Sequence, residues 1–140
     1  MSLLRLLKLK ISKEHLDRII RESKASRIEI CGLLLGNVEG DVGVVEEIRF
    51  GKNIKSSTVE FEIDPTDLYE VLTYAEKKGL EVVGMFHSHP ASAKPSKLDL
   101  KGMQLWPIPW LIVSSIDGSY DCFLLDLEKK RLMKVQVIVT

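Results

Sequence analysis

The sequence is short of the features that mark proteins for charged or membranous partners. Lys plus Arg and Asp plus Glu number 20 each in a chain of 140 residues, so the formal net charge is zero. A balanced charge gives no reason to expect binding to nucleic acid or to an anionic membrane surface. No apolar run approaches the ~20 residues that a membrane-spanning helix requires. We therefore expect neither nucleic acid nor a membrane as a partner.

Cysteine is also scarce. Cys31 and Cys122 both lie in apolar segments that look extended, and buried free thiols in a reducing compartment are the simplest interpretation. A single disulfide between them stays open as an alternative. The leucine-rich start is interrupted by Arg5, Lys8 and Lys10, unlike the apolar region of a secretory signal. These features lead us to expect a cytoplasmic protein.

The chain contains many short segments in which apolar residues recur with the period of a helix or a strand. Its length predicts one domain, residues 1–140, with a proper core. Helices are predicted to begin near Lys13, Pro65 and Ser96. Apolar patterns predict strands at residues 7–11, 27–36, 42–50, 59–63, 80–89, 110–113, 120–127 and 132–139. Runs of neighbouring strands with interspersed helices predict an α/β protein of the α+β kind, with a mixed, mostly antiparallel sheet flanked by helices.

The most unusual stretch is His87-Ser88-His89, at the end of a predicted strand. Because side chains alternate along a strand, the two histidines should point to the same face. Pro90 should end the strand, since proline cannot donate to a central ladder. A helix is predicted to follow, with Asp99 in its first turn. Two imidazoles and one carboxylate form a ligand set of catalytic zinc, which keeps a fourth position open.

Glu29 is the second unusual residue, because it lies in an otherwise apolar predicted strand. A buried carboxylate costs several kcal/mol unless it is paired or placed beside a cation or metal. One interpretation puts Glu29 at the exposed start of the strand, paired with Arg27. The other turns it inward, beside the predicted metal. The residues around it leave both open.

Together these segments resemble the JAMM motif of MPN-domain metalloproteases. The resemblance is carried by His87-Ser88-His89-Pro90, by Ser96-Lys97-Leu98-Asp99 and by the upstream Glu29, and it extends over essentially the whole chain. It implies an MPN fold, similar in architecture to cytidine deaminases, and a zinc hydrolase of archaeal or bacterial type related to deubiquitinases. Six residues separate the second histidine from the serine, one fewer than the family leads us to expect.

The resemblance implies a role for each motif residue. His87, His89 and Asp99 would bind Zn²⁺. Glu29 would be the general base, taking a proton from the attacking water and passing it to the leaving amine. Ser96 would donate a hydrogen bond to the oxyanion. Ser96 and Asp99 also match a helix capping box, an interpretation that does not depend on zinc.

The implied activity is hydrolysis of the peptide or isopeptide bond at the C-terminus of a ubiquitin-like modifier. The partners would be the modifier or its conjugates, and the protein would be a monomer or a homodimer. Processing of a small sulfur-carrier protein is an alternative with the same site chemistry. A metal-free MPN scaffold that only binds partners is another. A scaffold would be expected to have lost a ligand or the glutamate, and this sequence retains them all.

The modifier's tail should lie extended across the metal, where pairing with an exposed sheet edge would hold it best. The candidate edge is the segment 57–63, in which apolar and acidic residues alternate over residues 59–63. Thr58, Glu60 and Phe61 are accordingly the candidate substrate-binding residues. The alternative is an internal strand whose glutamates are merely solvated.

Overall fold

The computed structural model describes residues 6–140. Of the helices in this range, none is both long and apolar enough to cross a bilayer. The eleven elements of the described residues are β1 (Lys8–Ile11), α1 (Lys13–Ala25), β2 (Cys31–Glu39), β3 (Val42–Gly51), α2 (Pro65–Lys78), β4 (Glu81–His89), α3 (Lys97–Leu105), β5 (Trp110–Ser114), β6 (Tyr120–Asp126), β7 (Arg131–Lys134) and β8 (Gln136–Val139).

All the strands of the described residues join one sheet, in the order β7-β6-β5-β4-β2-β3-β1-β8. Four neighbouring pairs are antiparallel and three are parallel. The predicted mixed, mostly antiparallel sheet with flanking helices is therefore confirmed. Strand β4 lies near the middle, between β2 and β5, so its side chains are buried on both faces.

Two apolar cores lie on opposite faces of the sheet. Helix α1 buries Leu16 and Ile19 on one face, whereas α2 and α3 bury Ala75 and Met103 on the other. Residues of β2 and β5 alternate between these cores, as a period of two requires. In β4 the alternation shifts at a bulge, so Val83 and Met85, two residues apart, lie in different cores. Burial on both faces removes much apolar area from water, which stabilises the sheet by about 25 cal/mol per Å².

The two cysteines belong to different cores and therefore cannot pair. Cys31 lies in the core beneath α2 and α3, and Cys122 lies in the core beneath α1. Both are free and fully buried. Burial raises the pKa of the Cys31 thiol to about 12, so it stays protonated at neutral pH. The expected free thiols are confirmed, and the alternative disulfide is wrong.

Helix α2 begins and ends where its local sequence predicts. The Asp64 side chain accepts hydrogen bonds from the backbone N–H groups of Thr66 and Asp67, and Pro65 occupies the first helical position. Gly79 ends the helix with a φ of +69°, a left-handed conformation that costs glycine little. These caps set the direction in which the chain enters β4.

The strand predicted at residues 59–63 is wrong. Among the described residues this segment forms no ladder, and it makes one isolated bridge, between Ile63 and Asn53 in the loop after β3. Its polar backbone groups are met by loop contacts instead, such as the Ile54 N–H bonded to the Glu62 carbonyl at 3.0 Å. The predicted edge strand for a substrate tail is consequently absent from these residues.

The single strand predicted at residues 132–139 is also wrong, because this segment divides into β7 and β8 at opposite edges of the sheet. Val135 alone separates the two strands. Its side chain is buried and its N–H donates to the Cys122 carbonyl at 2.9 Å. Since one residue connects the two edges, the sheet must be strongly curled.

Candidate metal centre

The centre forms at the carboxyl end of β4, where His87 and His89 project to the same face. His87 is 0% exposed and His89 is 7% exposed. Their Nε2 atoms approach to 3.0 Å. Between them, the Ser88 hydroxyl points the other way and accepts a hydrogen bond from the Ile30 N–H at 2.9 Å. The strand period thus aims both imidazoles inward and ties the segment beside Glu29 to β4.

Asp99 reaches the histidines from the first turn of α3. Its Oδ1 lies 3.1 Å from His87 Nε2, and its Oδ2 lies 2.8 Å from His89 Nε2. A capping box holds it there: Ser96 N–H donates to Asp99 Oδ2, and Asp99 N–H donates to Ser96 Oγ. The loop of residues 90–95, although short, therefore brings Asp99 into contact with both imidazoles.

Charge and burial act in opposite directions on these three side chains. Burial raises the pKa of Asp99, but hydrogen bonds from His87 and His89 outweigh it and hold that pKa well below its usual range. Complete burial lowers the pKa of His87. Burial also opposes protonation of His89, yet the hydrogen bond and charge of Asp99 prevail and raise its pKa. Asp99 therefore stays ionised at neutral pH and holds both rings in place.

Glu29 lies just before β2 and is only 2% exposed, so the interpretation that placed it at an exposed strand start is wrong. Its carboxylate lies within 4.8 Å of donor nitrogens of both His87 and His89. Burial is the main cause that raises its pKa to about 7. Its buried Oε1 has no hydrogen-bond partner among the described residues. Such an acceptor fits a role beside a metal and a reacting group.

The donor atoms fit a divalent metal. Two imidazole nitrogens and a carboxylate face one another at 2.8–3.1 Å, and these are zinc ligands in catalytic sites. Glu29 is an alternative carboxylate ligand, because it also lies near both histidines. Asp99, which contacts both rings directly, is the better candidate.

An aromatic wall supports His87. The Phe61 ring stacks on its imidazole with centroids 4.5 Å apart and planes 26° apart. Trp110 meets the same imidazole edge-on at 5.5 Å. These contacts restrict the ring's rotation and help to exclude water from that side of the centre.

The candidate substrate residues lie on both sides of the centre. Glu60 and Phe61 line an apolar groove of about 390 Å³ that extends to Asp99. Thr58 is exposed and lines a separate small cavity of about 70 Å³ beside Glu29. The structure thus brings Glu60 and Phe61 near the predicted ligand Asp99 and Thr58 near Glu29, although not on a strand.

Sequence reasoning missed two residues that hold the centre together. Ser88 anchors the Ile30 backbone, and the buried Asn53 amide binds the Glu29 carbonyl at 3.0 Å. The sequence did contain a signal for Ser88: alternation along the strand directs its side chain to the face opposite the two histidines, where a polar residue needs a partner. For Asn53, the only signal was its rarity, since the chain has two asparagines.

Comparisons with known proteins agree with this geometry. Residues 12–126 match the model of a family described as prokaryotic homologs of the JAB domain. A Pyrococcus furiosus protein named desampylase is 40% identical over 92% of this chain and 89% of its own length. A Haloferax volcanii desampylase is 33% identical over 64% of each chain.

Solved structures give the same result for the fold. A Desulfitobacterium hafniense protein aligns with a TM-score of 0.81 at 26% identity, covering 94% of this chain and 92% of its own. A JAB1/MPN domain protein from Archaeoglobus fulgidus aligns with a TM-score of 0.57 at 25% identity, covering 92% and 98%. With the family model matching residues 12–126, this chain belongs to the prokaryotic branch of the JAB/MPN family.

Proposed function

We propose that this protein is a zinc-dependent isopeptidase that hydrolyses the bond at the C-terminus of a ubiquitin-like modifier. The observation that supports it most is the meeting of His87, His89 and Asp99 beside Glu29, whose Oε1 has no hydrogen-bond partner in the part of the chain that the structure describes. The similarity to two proteins named desampylase supports the kind of substrate. A scaffold that only binds partners would not need all three candidate metal ligands together with the glutamate.

His87, His89 and Asp99 would hold the zinc ion. When bound, zinc supplies a Lewis acid that polarises the scissile carbonyl and makes hydroxide available near neutral pH. The ionised Asp99 balances part of the metal's charge and keeps its orientation through the Ser96 N–H. Phe61 and Trp110 hold the His87 ring against rotation.

Glu29 would move the proton. Its carboxylate takes a proton from the attacking water and delivers it to the leaving nitrogen of the substrate. In the metal-free protein its pKa is about 7, raised by burial, so both protonation states are accessible near neutral pH. General acid–base transfer of this kind contributes about 10²–10⁴-fold to a rate.

Ser96 would stabilise the oxyanion. Its hydroxyl oxygen accepts the Asp99 N–H at 3.1 Å, which leaves the O–H free to donate. A donor aimed at developing negative charge is worth about 2.7–4 kcal/mol. The same residue therefore orients Asp99 through the cap and contacts the reacting carbonyl.

Replacing Ser96 by Ala should lower kcat by about 10²–10³-fold, because one oxyanion donor is lost. The lost cap should also destabilise the protein by about 1 kcal/mol. Comparing kcat with the melting temperature separates the two effects. Ser92→Ala, in the exposed loop before α3, is the matched control. A variant with a lower melting temperature and an unchanged kcat would reduce Ser96 to a helix cap.

We propose that the modifier's tail lies extended in the apolar groove. Glu60 and Phe61 would contact it there, and Thr58 would contact the substrate on the other side of Glu29. An extended tail is required because the scissile carbonyl must reach donor groups that are almost fully buried. A folded modifier could not bring its last peptide bond to them.

Two substrates test the proposed function: a ubiquitin-like modifier joined to a lysine side chain, and the same modifier with a linear C-terminal extension. We expect the zinc-loaded protein to release the free modifier from the lysine conjugate, with its intact C-terminus identified by mass spectrometry. A chelator should stop the reaction and added zinc should restore it. Cleavage of the linear extension alone would favour sulfur-carrier processing. No cleavage of either substrate would contradict the proposal.

A further inference from the structure

Asn53 lies in the loop after β3 and is only 4% exposed. Its side chain makes four hydrogen bonds. The Nδ2 group donates to the carbonyls of Glu29 and Glu60, at 3.0 and 3.2 Å. The Oδ1 atom accepts from the N–H groups of Lys55 and Glu62, at 3.0 and 3.1 Å. The buried amide is therefore fully satisfied, with both donors and both acceptor positions in use.

This arrangement permits one orientation of the amide. Rotating it by half a turn would place Oδ1 against two carbonyl oxygens and Nδ2 against two N–H groups. Four favourable contacts would then become four unfavourable ones in a site that is almost fully buried. The Asn53 side chain is thus a rigid connector between its own loop and two other segments of the chain.

The first of these segments carries Glu29. Both backbone groups of Glu29 are bound by the Asn53 loop: its N–H donates to the Ser57 carbonyl at 2.9 Å, and its carbonyl accepts from Asn53. The neighbouring Ile30 N–H is held by Ser88. Because Glu29 Oε1 has no partner of its own among the described residues, its position depends on these backbone contacts.

The second segment carries the wall of the groove. Asn53 binds the carbonyl of Glu60 and the N–H of Glu62, which are the two neighbours of Phe61. Phe61 in turn stacks on the His87 imidazole. One buried amide therefore binds the backbone of the candidate base, Glu29. It also binds the backbone on either side of Phe61, whose ring packs against the candidate metal ligand His87.

We propose that Asn53 is a positioning residue for the reaction: it sets the distance between Glu29 and the two histidines by holding both sides of the centre. This inference rests on the proposed function. A displacement of about 1 Å in a reacting group can cost 10²-fold in rate. Losing Asn53 should therefore lower kcat much more than it raises KM, and it should leave zinc binding nearly unchanged, because no metal ligand is removed.

The hydrogen bonds can be tested in the unmodified protein. In nuclear magnetic resonance, the side-chain amide protons of Asn53 should exchange with solvent at least ~10-fold more slowly than those of Asn37. Asn37 is a matched control, because it is the other asparagine of the chain. It lies on β2, six residues beyond Cys31, so about 20 Å of strand separates it from the end of β2 that is next to Glu29. Equal exchange rates for the two side chains would overturn the proposal.

The catalytic effect needs the variants Asn53→Ala and Asn53→Asp, with Asn37→Ala as control. Both Asn53 variants should lower kcat by about 10–100-fold, with KM and zinc affinity changed less than ~3-fold. Asn53→Asp keeps the acceptor and loses the donors, so it tests the bonds to the Glu29 and Glu60 carbonyls separately from those to the Lys55 and Glu62 N–H groups. Wild-type kcat in either folded variant, or an equal loss in Asn37→Ala, would overturn the proposal.

A third measurement keeps the inference separate from the proposed function. In Asn53→Ala, the backbone N–H groups of Glu29 and Glu62 should lose protection from hydrogen exchange, while those of Phe86 and Leu111 in the core keep it. Unchanged protection at Glu29 would refute the positioning role. If the wild-type protein cleaves no modifier, the proposed function fails, and these exchange rates alone decide whether Asn53 holds Glu29.

Discussion

Replacing Glu29 by Gln is expected to lower kcat by about 10²–10⁴-fold while the fold and the zinc content remain those of the wild type. The amide has nearly the same shape, but it cannot accept a proton from water or return one to the leaving nitrogen. Turnover should be measured together with metal content. Glu46→Gln, an exposed acid of β3, is the control and should be fully active. Undiminished turnover in Glu29→Gln would exclude the general-base role.

The same variant has a stability signature in the metal-free protein. Burial raises the pKa of Glu29 to about 7 in the folded state, above its ordinary value of 4.5. Between these two values the folded state binds more protons than the unfolded state, so wild-type stability falls as the pH rises from about 4.5 to 7. Glu29→Gln should lack this loss. Its melting temperature should match the wild type near pH 4 and exceed it above pH 7.

Removing one predicted metal ligand should abolish stoichiometric zinc binding and, with it, turnover. His87→Ala, His89→Ala and Asp99→Asn each leave two of the three ligands. Loss of a group that only orients a ligand costs about 10–100-fold in metal affinity, so loss of a ligand should cost more than ~100-fold. Competition with a chelator of known affinity measures the effect.

His15→Ala provides the control for that series, since the third histidine of the chain lies in the first turn of α1. It should bind zinc as the wild type does. Asp99→Asn is the most informative variant, because its amide oxygen can still accept the Ser96 N–H and so preserve the cap. Stoichiometric zinc in folded His87→Ala or Asp99→Asn would show that the ligand assignment is wrong, with Glu29 as the next carboxylate to test.

Glu29 illustrates the limit of reasoning from neighbours in the sequence. Its residue type and apolar surroundings raised the question of whether it faces inward, and both answers stayed open. Its burial depends on the loop around Asn53 and on Ser88, which lie 24 and 59 residues away in the chain. Contacts over such separations depend on packing of the whole domain, which no local periodicity reports.

Residues 59–63 show a second limit, because their sequence pattern predicts a strand where the structure has a loop. Their alternation is what a half-buried strand would have, but the observed burial follows it only over Phe61, Glu62 and Ile63, and Val59 is 66% exposed. No strand forms, because the Asn53 side chain and the bridge at Ile63 take up backbone groups that a ladder would use. In this segment the pattern of period two predicted neither the exposure of Val59 nor the pairing of the backbone.

What the sequence determined by itself was local. The alternation along β4 directed His87 and His89 to one face, and the capping box Ser96–Asp99 placed a carboxylate in the first turn of α3. These features depend on residues within a few positions of one another, where backbone geometry leaves little choice. Tertiary structure decided the rest: the approach of Asp99 to both imidazoles, the inward turn of Glu29, and the division of residues 132–139 between opposite edges of a curled sheet. Each of these arises from close packing between distant segments, which is the part of folding that residue patterns do not encode one segment at a time.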